Sequence, residues 1–201
     1  MKRRSEWFAP LLVGLIGLFV GTAFTQETAR ADKAATQSTE PSGVRDFDFL
    51  HGSWKVNNRM RKERLKDANE WWEFPATLEV KPILNGQGNV DQFKATIGGT
   101  YLEGVTLRLF HPKMKQWSLY WVDNLKMELQ TPLVGGFKNG KGEFFADDVY
   151  EGKKVKVRFI WSGITRDSAR WEQAYSTDGG KTWEVNWVMT FTRDKPQSNK
   201  E

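Results

Sequence analysis

Between Trp54 and Phe191 the chain repeats one pattern, with large apolar side chains at every second position and polar residues mostly between them. The clearest case runs from Arg170 to Arg193, RWEQAYSTDGGKTWEVNWVMTFTR. Trp171, Gln173 and Tyr175 share one parity, as do Trp183, Val185, Trp187, Met189 and Phe191. Period two is what a half-buried strand requires, because successive side chains point to opposite faces. Asp178-Gly179-Gly180 separates the two runs and tolerates the positive φ of a tight reversal, so the whole reads as an antiparallel hairpin with one apolar face. A lone hairpin is not stable in water, and upstream strands must cover that face.

Those strands are visible as short runs with regular turn signals. Trp54, Val56, Asn58 and Met60 alternate with Lys55, Asn57, Arg59 and Arg61, a strand with a basic outer face. Further strands are predicted over Phe74–Leu84, Val90–Ile97, Tyr101–Phe110, Gln116–Asp123, Met127–Phe137, Glu143–Tyr150 and Val155–Ile164. Gly, Asn or Pro marks most of the breaks, and there is room for a short helix before the first strand or near Arg64 to Asn69. About ten strands joined by short turns predict an all-β protein, a single antiparallel up-and-down barrel whose closure removes the exposed edges. A Greek-key sandwich, the competing arrangement, needs longer crossovers.

Upstream of this pattern the composition changes. Residues 1–31 begin with Lys2, Arg3 and Arg4, continue through an apolar run from Leu11 to Phe24 and end on Ala29-Arg30-Ala31, the arrangement of a signal peptide. The same run is nearly long enough to serve as an inner-membrane anchor, and the membrane is met only through it. Both readings place the domain outside the cytoplasm, periplasmic or extracellular. Residues 32–45 are polar and aperiodic and read as a linker, residues 46–193 as the barrel domain, and residues 194–201 as a disordered tail.

Charge and residue usage then remove function classes. The net charge of +5, two units of which belong to residues 1–31, is too small for a nucleic-acid footprint. With no cysteine there is no disulfide, thiolate metal site or cysteine nucleophile. No Ser-His-acid order, phosphate loop or metal-ligand cluster is present, so no catalytic residue, metal site or cofactor is assigned. Asp147 and Asp148 point to opposite faces of a strand and cannot share a site without a bulge. A hydrolase built on barrel carboxylates therefore stays an alternative only.

Nine of the ten tryptophans lie between Trp54 and Trp187, which makes the interior the place to look. Taking the apolar parity as inward, Trp121, Phe159, Trp161, Trp187 and Met189 line an aromatic cavity, and Asn58, Asp91, Asp123 and Gln173 bring polar groups onto that face. A buried amide or carboxylate must be hydrogen-bonded, so these four are the positions that would orient a small hydrophobic or amphipathic ligand. Parity in Tyr101–Phe110 and Glu143–Tyr150 is ambiguous, which leaves Arg108 and Asp147 unassigned. The alternative is a surface module that presents Trp71, Trp72 and the basic residues between Lys55 and Lys66 to envelope polysaccharide or an acidic partner.

Two local motifs carry a resemblance. Gly52-Ser53-Trp54 at the head of the first strand resembles the Gly-x-Trp signature of lipocalin-like (calycin) barrels. In that superfamily a late arginine often packs over the first-strand tryptophan, which implies a pairing of Trp54 with Arg193. The phrases DFDFLHGSW, GVTLRLFHP, WSLYWVDN and VRFIWSG resemble an exported or cytoplasmic bacterial family of unknown function in that superfamily, over about Asp46 to Arg193. Related nitrobindin-like barrels hold haem through a histidine late in the chain, and this chain has none after His111. His111 and His51 read as turn residues instead. Ser176 to Trp183 is similar to the Asp-box of sialidase propellers, which implies a structural hairpin in which Asp178 accepts turn N–H groups, Gly180 takes positive φ and Trp183 packs beneath.

Overall fold

A computed structural model describes residues 43–195. The predicted signal segment and nearly all of the predicted linker lie outside the described residues. The alternating runs become ten strands: β1 (Gly52–Arg61), β2 (Trp71–Ile83), β3 (Gly88–Ile97), β4 (Thr100–His111), β5 (Gln116–Asp123), β6 (Leu133–Lys138), β7 (Lys141–Tyr150), β8 (Lys153–Ser162), β9 (Ser168–Ser176) and β10 (Glu184–Arg193). Each pairs antiparallel with its sequence neighbour, and β1 pairs with β10 to close the ring. The fold is a closed ten-stranded up-and-down antiparallel barrel, with 3-10 turns at Asp48–Leu50 and Leu84–Gly86 as its helical elements among the described residues.

One end of the barrel is plugged by the chain that leads into β1. Phe47 lies edge-on to Trp117 at 5.0 Å and to Phe137 at 4.9 Å, and Leu50 is fully buried. Val44 is buried as well, and the Gly43 carbonyl accepts the Trp117 indole N–H at 3.0 Å. The packed chain thus starts upstream of Asp46, because this apolar step fills the barrel floor. At the far terminus the Asp194 N–H bonds the Ser53 carbonyl at 2.9 Å and Lys195 pairs with Asp167, so these two residues continue the ordered edge.

At the same end the Arg193 guanidinium lies over the Trp54 ring, 3.9 Å from its centroid, and donates to the carbonyls of Phe49, His51 and Arg166. Gly52 has φ +100°, and a Cβ there would sit 3.2 Å from Arg193 Nη1, so a glycine lets the guanidinium pass. A double-mutant cycle with Trp54→Leu and Arg193→Met is expected to give a coupling of about 1–2 kcal/mol, as for a partly desolvated cation–π pair. A coupling indistinguishable from zero would remove that role.

Two segments depart from the alternation. The strand predicted over Met127–Phe137 begins only at Leu133. Asp123 Oδ1 accepts the N–H groups of Leu125 and Lys126 in a turn directly after β5, and Pro132 has no N–H for a ladder. Residues 124–132 form a loop instead, with Leu125, Met127 and Leu129 exposed. In β10 a register shift between Val185 and Trp187 turns Asn186 into the interior, fully buried. Trp183 precedes the strand and packs on Arg158, 4.3 Å from its ring centroid, with Phe145 beside it. It therefore lies on the outer wall, apart from the inward run that starts at Trp187.

Candidate functional site

Alternation on a closed sheet sends one half of every strand inward, and the inward residues fall into two aromatic groups. The lower group surrounds the plug and contains Trp117, Phe137, Phe144 and Trp161 around Phe47. The upper group is a chain of edge-on rings. Trp121 meets Phe93 at 6.2 Å, Phe93 meets Trp187 at 6.2 Å, Trp187 meets Trp171 at 5.7 Å, and Trp171 meets Phe159 at 4.7 Å. T-shaped contacts of this kind satisfy the ring quadrupoles and hold each indole in one orientation. Met189, facing Trp171 across the β9–β10 pair, is buried beside them.

The upper group keeps accessible surface in the middle of the barrel. Val157 and Trp161, two residues to either side of Phe159 on its face of β8, are 4% and 2% exposed, yet Phe159 itself is only half-buried. Thr106 likewise lies between buried Gly104 and buried Arg108 on β4 and is half-buried. Trp121 and Trp187 share this intermediate burial. Trp121 can lie against β4 only because residue 104 is glycine, since a Cβ there would fall 2.0 Å from Trp121 Cη2.

The polar positions predicted from parity are all inward, but most of their hydrogen-bonding capacity is used. Asn58 Oδ1 accepts the Trp187 indole N–H at 3.0 Å. Asp123 Oδ2 accepts that of Trp121 at 2.8 Å while its other oxygen caps the turn. Asp91 accepts from Arg108 Nη2 at 2.5 Å and from the Thr106 N–H at 2.8 Å. Gln173 donates to Asn186 Oδ1 at 2.7 Å, which leaves its own carbonyl oxygen without a partner among the described residues. The Thr106 hydroxyl also has none. Thr106 on β4 and Gln173 on β9 are five places apart in the ring of ten strands, so they lie on opposite walls of the interior.

Arg108 is the charged member that alternation could not place. It is 4% exposed, bonded to Asn89 at 2.9 Å as well as to Asp91, and it lies over the Phe47 ring. The inner face of β4 reads Leu102, Gly104, Thr106, Arg108, Phe110, while Val105, Leu107 and Leu109 point outward. The apolar side of this strand is thus partly the outer one, which reverses the usual signal. The neighbouring Asn89 and Asp91 on β3, directly opposite Arg108 and two residues along, are the sequence clue to it, since a buried guanidinium needs acceptors.

Outside the barrel the charges are largely paired. Arg59 binds Glu73 at 3.0 Å and Arg170 binds Glu172 at 2.8 Å, beside a depression of mixed polar and apolar lining on the wall of β9, β10, β1 and β2. Arg59 and Arg61 both lie over the Trp71 ring, and Lys62 lies over that of Trp72. These indole faces are already covered by the protein's own cations, which weighs against a sugar-stacking platform. Asp147 faces outward on Lys156, and His111 bonds Ser118 on the outer wall near the plugged end. In the loop after β9, Asp178 accepts the Thr182 and Lys181 N–H groups and the Thr182 and Ser176 hydroxyls. Those bonds, the Thr182 N–H first, hold its carboxyl far below the usual carboxylate range. Gly180 has φ +97° there.

Solved structures of similar fold follow this geometry. An S-type phycobiliprotein lyase from Guillardia theta superposes with a TM-score of 0.53 at 12% identity, over 77% of this chain and 94% of that one. Rv2717c from M. tuberculosis superposes with a TM-score of 0.51 at 12% identity, over 76% and 97%. The likeness is one of fold, the calycin-like ten-stranded barrel. No family model matches the chain and no curated protein matches it.

Proposed function

We propose that the barrel binds a small hydrophobic or amphipathic molecule beside the upper aromatic group, with Trp121, Phe159, Trp187 and Met189 as the apolar wall and Gln173 as the orienting polar group. The observation that carries this reading is the surface retained by Phe159 and Thr106 between buried neighbours. Trp161 lies lower, against Phe47 and Phe191, and would form the floor. Binding sites of this kind are mostly apolar, concave and carry a few convergent polar atoms, as the mouths of barrels often do. Burying about 200 Å² of ligand surface would contribute about 5 kcal/mol before the entropic cost of association is subtracted, so a tight complex requires a larger buried area and at least one polar contact. Titration of tryptophan emission with fatty acids, isoprenoids and flat aromatics is expected to find such a ligand. Trp187→Leu and Gln173→Leu should each weaken it by about tenfold. A panel that leaves the emission unchanged contradicts the reading.

The same reading places the barrel outside the cytoplasm, supported by the basic, apolar and small-x-small order of residues 1–31. The mature mass of the native protein is expected to lack those residues. An intact amino terminus in a membrane fraction would instead support the anchor.

A further inference from the structure

We infer that the ligand carries an anionic oxyacid head and lies tail inward, with the head held by Arg64 at the end of the barrel opposite the plug; this rests on the proposed binding barrel. Two observations about cations decide the orientation. Arg108, in the depth of the barrel, already has Asp91 and Asn89 as partners, so the pair is electrically neutral. An anion brought to that depth would add an uncompensated charge in an apolar interior, which costs several kcal/mol. The floor still offers the unpartnered Arg108 Nε–H and Trp161 indole N–H, which a neutral acceptor can satisfy, but the charge there is already balanced and an anionic head is disfavoured.

Arg64 is in the opposite condition. The β1–β2 loop folds over the mouth because the Leu65 N–H bonds both oxygens of Glu184 at 3.0 and 3.1 Å and Leu65 packs against the core. This turns the half-buried Arg64 onto two inward tyrosines, 5.8 Å from the Tyr150 ring centroid and 5.7 Å from that of Tyr175. Its one hydrogen bond is to the Tyr175 hydroxyl at 3.4 Å, and no carboxylate of the described residues pairs with it. Asp148, the acid of β7 on this side, bonds the Val149 N–H instead. Tyr175 follows Gln173 by two residues on the same face of β9, so a polar track runs from the Gln173 carbonyl through the Tyr175 hydroxyl to Arg64. A guanidinium with four unused N–H groups over aromatic rings matches a carboxylate or phosphate bidentately.

The test is a comparison of decanoate, decyl phosphate and decanol on the full folded protein by tryptophan emission. Wild type is expected to bind the two anions about tenfold more tightly than the alcohol. Their relative affinity assigns the head as carboxylate or phosphate. Arg64→Gln should abolish the advantage and leave decanol binding unchanged, while Arg64→Lys should retain part of it. Melting temperatures of both variants report any loss of the loop. Equal binding of anions and alcohol by wild type, or equal weakening of all three by Arg64→Gln, overturns the head-group assignment and leaves the barrel reading standing. Failure of all three to bind also overturns the head-group assignment, while the barrel reading falls only if isoprenoids and flat aromatics fail as well.

Discussion

Asp91→Leu is expected to destabilise the domain by about 3–5 kcal/mol, because it leaves the Arg108 guanidinium buried without its counter-charge. Asp91 and Arg108 are 2% and 4% exposed, and the loss also frees the Thr106 N–H from its acceptor. Asp91→Leu with Arg108→Met removes both charges together and is expected to lie within about 1–2 kcal/mol of wild type, since an apolar pair of similar volume replaces a desolvated ion pair at little net cost. Urea unfolding of the two singles and the double checks this. A double variant as unstable as the worse single would mean that the pair holds β3 and β4 by more than mutual compensation.

Gly104→Val is the second large effect. The new Cβ would fall within 2.0 Å of the Trp121 ring, so the indole must leave its place against β4 and lose its bond to Asp123. Overpacking of this kind costs about 1–3 kcal/mol, and exposure of the ring adds to it. Red-shifted tryptophan emission with a lower urea midpoint is the expected result. The same variant should weaken ligand binding, because Trp121 no longer stands in the proposed apolar wall. Unchanged emission and stability would show that β4 yields instead of Trp121.

The barrel was legible because period-two alternation is a direct record of which face is buried, and short turns left few ways to connect ten strands. It failed where the burial signal was not apolar. β4 turns Gly104, Thr106 and Arg108 inward, and its three half-buried outward aliphatics mask that choice. Asn186 escaped because a register shift breaks parity within a single strand. The loop at 124–132 kept an alternating look through Leu125, Met127 and Leu129, although Asp123 had already ended β5. Inward positions such as Asn58, Asp91 and Gln173 followed from parity alone. Their partners did not, since hydrogen bonds such as Trp187 to Asn58 join residues far apart in sequence. Arg64 lies in a stretch without periodicity, and only its fold-over onto Tyr150 and Tyr175 gives it a place at the mouth.

Ligand binding in the barrel requires apolar space beside the upper aromatic group. Xenon enters apolar cavities and is dense enough to be located, so crystals of the barrel under xenon pressure test this without knowledge of the natural ligand. A xenon peak is expected in van der Waals contact with Phe159 and with Trp121 or Trp187. Side chains packed solid at that level, with no xenon inside the barrel, would contradict it.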